Sequence, residues 1–400
     1  MVDRTALDAA HPDRHGGRQQ GDALIGSVPF YVHDLGEREL AEIREVLKGR
    51  ILTTGEYVYR FEREFAQYLG RHKAVALNSC TGAIHLSLLA LGIGPGDEVI
   101  TTPLTFIASS TAIVQAGAKP VFVDVEPDTG NLDAARVEAA ISKRTKAILP
   151  VHLYGLMCDM RALRAIADEH GLRIVEDSAH CIEGKRGGVG PGELGDTACF
   201  SFFATKNITC GEGGAVATDH EQVAAALRAL SNHGMTKTSD DRYREGYKHW
   251  DMPEFGWKYN LSNIQAAMLL PQFERLEPNL RKREALAQRY TERLKGVPGV
   301  SVMSTREDAR HARHLFPVCI VAKDRDAVLE HLKAAGIETV VNYRAIHLLT
   351  CFRKTLGHMP GNFPVAEKLG DQLISLPFYP NMPMEHVDRV CDMLQRIMGN

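Results

Sequence analysis

The chain has 400 residues, 44% of them apolar, and its 47 basic against 50 acidic side chains leave a net charge of −3. That near-balance argues against a nucleic-acid footprint or a polybasic membrane anchor, and no apolar run approaches the roughly 18 residues of a transmembrane helix. The N-terminus lacks the apolar core of a signal peptide, so the expected location is the cytoplasm, and the length suits a large domain with a smaller one. Eight cysteines are scattered without a Cys-x-x-Cys pair, which disfavours both a zinc site and a disulfide framework, and no metal is expected.

Residues 1–22 are polar and without usable periodicity, and are expected to form a disordered tail. From Asp34 to Lys48 the spacing of Leu35, Leu40, Ile43, Val46 and Leu47 predicts an amphipathic helix that Gly49 stops. A loop then carries Thr53 and Thr54, whose hydroxyls suit turn chemistry and ligand contact equally well. A second helix follows through Val58, Phe61, Phe65 and Leu69. After Gly70 short β-like runs at 74–77, 98–101, 120–124, 146–151, 173–176, 197–203 and 215–218 alternate with helical stretches at 81–91, 107–115, 133–141 and 160–170. Such alternation predicts an α/β fold, a mainly parallel seven-stranded sheet sandwiched by helices, with ligand-binding residues just past the carboxyl ends of strands.

Those strand ends carry the candidate residues. The run 74–77 leads into Ser79-Cys80-Thr81-Gly82 and a strongly apolar helix; free N–H groups at such a terminus suit a phosphate, and an ordinary cap is the alternative. Phe106 follows the next strand and serves either core packing or a planar ligand. The run 173–176 ends in Glu176-Asp177-Ser178-Ala179-His180, where a carboxylate at a buried strand end needs a partner, either a salt bridge or the ring nitrogen of a cofactor. The aromatic run Phe200, Phe202, Phe203 carries a single lysine, Lys206, before the glycine-rich segment 211–214. A desolvated lysine has a depressed pKa, and its neutral amine forms Schiff bases with carbonyl compounds. Neither that segment nor the glycine cluster at 187–192 has the context of a nucleotide-binding loop.

Further on, a helix at 223–230 leads to a polar, Tyr-rich loop at 237–251, and Gly256 to Ser262 caps a helix through Ile264, Ala267, Leu269 and Leu270. A long helix at 278–293 bridges to a smaller α+β domain with strands at 315–321 and 339–342 and helices at 324–335 and 384–398. The expected domain limits are 23–275 and 276–400. The cluster Arg281-Lys282-Arg283 reads as a solvated helix face with diphosphate pairing as the alternative, and a lone His347 reads as structural by itself. Loop segments 53–59, 242–250 and 343–347 are where substrate specificity is expected.

In order and spacing, Ser79 to Thr81, Phe106, Glu176-Asp177-x-x-His180 and Ser201-x-x-x-x-Lys206-Asn207 before a glycine-rich turn resemble the DegT/StrS sugar aminotransferases, pyridoxal-phosphate enzymes of fold type I. The likeness runs from Val28 to the C-terminus. It is strongest to the UDP-4-amino-4-deoxy-L-arabinose aminotransferase branch, through Thr205 to Gly214 and Tyr259-Asn260-Leu261-Ser262. The resemblance implies that Lys206 is the Schiff-base lysine, that Asp177 keeps the pyridine nitrogen protonated, that His180 sits beside the phenolic oxygen and that Phe106 stacks on the ring. It implies a phosphate cup of Ser79, Cys80, Thr81 and Ser201, with Cys80 replacing the usual Gly or Ala. It implies that Asn260 reaches the phosphate of a neighbouring subunit, hence a homodimer with shared active sites, and that Thr53, Thr54, Tyr154 and His347 surround the amino-group acceptor. The implied reaction moves nitrogen from L-glutamate to a nucleotide-linked keto-sugar. A keto-cyclitol reaction, a ring-forming dehydration, a non-catalytic sensor and a scaffold are the alternatives.

Overall fold

The computed structural model describes residues 26–236, 249–321 and 323–399; the expected tail and most of the loop expected at 237–251 lie outside them. Two helices open the described chain, α1 (Glu37–Lys48) and α2 (Glu56–Leu69). Helix α2 buries Val58, Phe61 and Phe65 on one stripe and ends at Gly70, whose φ of 67° makes a left-handed cap. Then come β1 (Lys73–Leu77), α3 (Cys80–Ala90), β2 (Glu98–Thr101), α4 (Ala108–Gln115), β3 (Lys119–Phe122) and β4 (Thr145–Leu149). They are followed by α5 (Met160–His170), β5 (Arg173–Asp177), β6 (Lys185–Arg186), β7 (Thr197–Ser201), β8 (Gly214–Thr218) and α6 (Glu221–Leu230).

Seven of these strands form one sheet in the order β1-β8-β7-β5-β4-β2-β3. Strand β8 runs antiparallel to both neighbours, β1 and β7, and the other pairings are parallel. The carboxyl ends of six strands and the amino end of β8 therefore share one edge, and Gly214 stands in register between Leu77 and Ser201. Helix α3 is apolar all round, with Ile84, Leu86 and Leu88 wholly buried, as a helix packed against the middle of such a sheet must be.

The C-terminal part comprises α7 (Asn263–Leu269), α8 (Leu276–Leu294), β9 (Val300–Val302), β10 (Ala309–Arg310), β11 (Phe316–Ile320), α9 (Arg325–Ala334), α10 (Thr350–Leu356), α11 (Pro364–Gln372), β12 (Leu373–Leu376) and α12 (Met384–Gly399). Strands β12, β11 and β9 form an antiparallel sheet whose core with α8 and α12 includes Tyr290, Phe316, Val387 and Leu394, and also Val28 from the start of the described chain. Two expectations fail locally. The helix expected at 133–141 is a pair of short 3-10 turns, since Val137 is its one fully buried anchor and Asp133 takes the N–H of Ala135 instead of starting an α-helix. The strand expected at 339–342 makes a single bridge, Val340 with Ser375, after which the Asn342 carbonyl accepts the Tyr154 hydroxyl.

Candidate active site

Strand alternation decides which residues meet at the shared edge. In β7 and the residue just past it, Phe200 and Phe202 face α2, where their rings stand edge-on to Phe65 and Phe61 at 4.9 and 5.3 Å. The opposite face carries Cys199, against Ser87 of α3, and Ser201. In β5, Val175 and Asp177 share the face toward α3, whereas Glu176 points the other way, where it meets His152 at 2.9 Å and accepts the Gly192 N–H. Period-two geometry thus separates two adjacent carboxylates, and Asp177 is the one delivered to the edge.

Ser79, Cys80, Thr81, Phe106, Asp177, His180, Ser201 and Lys206 line one cavity of about 530 Å³, together with Thr105, Tyr343 and His314. Ser79 caps α3 by accepting the Gly82 N–H at 3.0 Å, and the first intrahelical bond runs from Ala83 to Ser79. The N–H groups of Cys80 and Thr81 precede that bond, and no acidic residue lies in the first turn of α3. Gly214 is required here. A Cβ on it would stand 2.4 Å from the carbonyl carbon of Ser79, so only glycine lets β8 pass against this terminus.

Asp177 is held on both oxygens. Oδ2 accepts the Ser109 hydroxyl at 2.7 Å and Oδ1 accepts the Ala179 N–H at 3.1 Å, with the Cys80 thiol 4.0 Å away. Burial pushes its carboxyl up, and the Ser109 and Ala179 hydrogen bonds pull it back down. Burial, and then Lys206, hold the His180 imidazole well below its usual pKa. Its Nδ1 accepts the Tyr154 N–H at 3.2 Å, so Nε2 carries the hydrogen, 3.3 Å from the Tyr343 hydroxyl.

Burial lowers the Lys206 amine from 10.5 to about 8, against the opposing pull of Cys80 and Asp177. Its Nζ is 3.5 Å from Nε2 of His314. His314 Nδ1 is 3.3 Å from Oδ1 of Asn207, whose Nδ2 donates to Glu183 at 2.8 Å and to the Ala312 carbonyl at 3.1 Å. Glu183 in turn pairs with Arg283, and both are almost wholly buried.

A profile of the DegT/DnrJ/EryC1/StrS aminotransferase family matches residues 33–395. The chain belongs to this family. Among relatives, the spore coat polysaccharide biosynthesis protein SpsC of Bacillus subtilis is 39% identical over 377 residues, 93% of this chain and 97% of its own. Spr1654 from Streptococcus pneumoniae superposes with TM-scores of 0.88 in its PMP-form, at 31% identity, and 0.87 in its PLP-form, at 30%; each covers 93% of this chain and 99% of the other. DesI, solved in the presence of its TDP-sugar product, gives a TM-score of 0.84 at 32% identity over 93% of each chain. Like its family, this chain is a pyridoxal-phosphate-dependent aminotransferase. The donor set fits that group: a helix N-terminus and two serine hydroxyls for a phosphate dianion, a buried carboxylate for a protonated ring nitrogen, and a desolvated lysine for the aldehyde.

Other DegT-family expectations fall elsewhere. Asn260 does not line the cavity around Lys206; its Nδ2 donates to Thr54 at 2.8 Å and lies 3.5 Å from the Thr53 hydroxyl, so these three form a separate polar group. Tyr154 stands behind the wall, wholly buried, with its hydroxyl on the Asn342 carbonyl at 2.5 Å. His347 does not reach the cavity either. Its Nε2 is 2.9 Å from Glu367, which also holds the N–H groups of Gly361 and Phe363, and Tyr343 is the residue of that segment that arrives. The solvated face expected at Arg281 to Arg283 is split, since Arg283 is buried on Glu183 while Lys282 donates to Asn381. Tyr343 lies in the segment 343–347 where specificity was expected, whereas Ser109, Glu183 and His314 were not singled out from the sequence. Of these three only His314 carried a signal, a histidine just before a buried strand.

Proposed function

We propose that this chain transfers the amino group of an amino acid, L-glutamate by family habit, to the carbonyl carbon of a nucleotide-linked keto-sugar. The observation that carries the reading is the cavity itself, which brings Lys206, Asp177, His180 and the α3 terminus to one edge of the sheet. The nucleotide-sugar part is supported by DesI, a structural neighbour solved with a TDP-sugar product.

In this reading Ser79, Cys80, Thr81 and Ser201 hold the phosphate, Asp177 holds the ring nitrogen as a charged pair, and Phe106 lies over the ring. Bound there, pyridoxal 5′-phosphate supplies a carbonyl that condenses with amines and an electron-poor ring that stores the electron pair left when a C–H proton departs. Lys206 supplies what the cofactor lacks. Its amine, about half neutral at pH 8 because burial lowers its pKa to about 8, is first the nucleophile and then the base and acid that moves a proton between the substrate carbon and the cofactor. His180 directs its Nε2–H into the cavity, where it can donate to an oxygen on the ring or the substrate. Asn260, Thr53 and Thr54, away from the cavity of their own chain, complete the cavity of a second copy in a homodimer. The domain limit near residues 275 and 276, at the entry to α8, belongs to the same reading.

The test is a half-reaction followed by absorbance. Glutamate should bleach the visible band of the loaded protein, and a nucleotide keto-sugar should restore it while a keto-cyclitol does not. Restoration by the cyclitol alone would replace the substrate class.

A further inference from the structure

The hydrogen-bond chain behind Lys206 has a direction. Both hydrogens of the Asn207 amide are taken by groups that only accept, the Glu183 carboxylate at 2.8 Å and the Ala312 carbonyl at 3.1 Å. The amide oxygen must then face His314. At 3.3 Å it accepts from Nδ1, which is thereby the protonated ring nitrogen, and Nε2 presents its lone pair to the Lys206 amine at 3.5 Å. Glu183 is itself fixed, paired with Arg283 where both are almost wholly buried.

We propose that Glu183 and Asn207 lock His314 in its Nδ1–H tautomer, so that His314 accepts a hydrogen from Lys206 and leaves the amine's own lone pair free to act as base. This rests on the reading of Lys206 as the proton-moving group. In the opposite tautomer Nε2–H would donate to that lone pair and occupy it. His314 is a positioning residue and stays neutral throughout: burial opposes the imidazolium, and the cationic groups around it, Lys206 and Arg283, oppose it further, as does the neighbouring His180 ring 4.4 Å away. When Lys206 takes a proton and becomes an ammonium, the same Nε2 accepts from a stronger donor. The lock thus serves the lysine in both of its protonation states.

The first test needs no cofactor. In the apoprotein labelled with ¹⁵N-histidine, the His314 signals, assigned by their loss in His314→Gln, should show a protonated Nδ1 and a bare Nε2. In Asn207→Leu the pattern should reverse. The second test is the single-turnover rate of the glutamate half-reaction. It should fall by about tenfold or more in Asn207→Leu and His314→Leu, the worth of one directed hydrogen bond, with the glutamate concentration for half-maximal rate little changed. His314→Gln should recover part of the loss, because an amide oxygen there can accept from Lys206. A wild-type His314 protonated at Nε2 overturns the proposal without any variant having to fold beyond the one used for assignment. So does an Asn207→Leu protein that keeps the wild-type rate while the wild type bleaches normally, which leaves the aminotransferase reading intact. A wild type that takes up pyridoxal phosphate yet never bleaches with any amino donor overturns both.

Discussion

Ser109 gives its hydroxyl hydrogen to Asp177 at 2.7 Å and receives one from Thr105 at 2.9 Å, which ties the start of α4 to the end of β5. Removing the hydroxyl in Ser109→Ala leaves the Asp177 carboxyl higher than burial has already pushed it. The ionised form is the one that pairs with a protonated ring nitrogen, so affinity for pyridoxal phosphate should fall about tenfold, the worth of a hydrogen bond to a charged group. The pH below which cofactor is lost should move upward. Absorbance titration of the apoprotein reads both, and unchanged affinity would remove Ser109 from the site.

Lys206 should show its desolvation directly. Capture of pyridoxal phosphate by the apoprotein needs the neutral amine, whose fraction grows as pH rises through the pKa. With that pKa near 8, the rate should climb through a midpoint near pH 8. An unperturbed lysine would be about 0.3% neutral at that pH. Stopped-flow rates across the range decide it; a rate still climbing steeply above pH 9 would contradict a buried amine. Lys206→Ala should show no capture and no amine transfer.

Gly214→Ala should damage both stability and cofactor binding. The added methyl meets main-chain atoms of Ser79 and Cys80, which cannot swing aside as a side chain can. The strand or the helix terminus must shift, at a cost of about 1–3 kcal/mol typical of overpacking. Urea unfolding gives the first effect and cofactor titration the second. A variant with wild-type values for both would show that the two backbones part freely.

If Asn260 serves a second copy, complementation should occur. Lys206→Ala and Asn260→Leu proteins are each defective in every site, but a mixed dimer holds one site with both residues intact. Random mixing makes half the dimers mixed, so activity should return to about a quarter of wild type. Mixtures no better than the parents would place Asn260 outside the shared site.

Much of this was legible because it depended on short-range pattern. The strand ends after 74–77 and 173–176, with a capped apolar helix after the first, put Ser79 and Asp177 on a common edge, and Ser201 joined them through the family resemblance. What stayed hidden depended on partners far apart in the chain. Arg283 sits in a run of three basic residues and looked solvated; only the packing of α8 against the loop that carries Glu183 buries it. His314 acquires meaning from Asn207, and that contact is made by tertiary structure alone. His347 illustrates the opposite error, since its place in the chain suggested the rim while Glu367 from α11, an element the sequence pattern did not reveal, claims its ring. The 3-10 turns at 134–140 failed for want of apolar anchors, a matter of degree that periodicity does not register.

The loop that carries Lys206 is closed at its base, where Phe202 N–H donates to the Gly213 carbonyl and Cys210 N–H to that of Phe202. Gln272 clamps its far side, accepting the Thr209 N–H at 3.0 Å and donating to the Thr209 carbonyl at 2.7 Å. The lysine therefore rides on a ring of fixed circumference rather than a free excursion. Inserting or deleting one residue between Phe203 and Thr209 would keep every catalytic side chain and still turn the amine away from Asp177. The number of residues in this ring is under the same constraint as their identity.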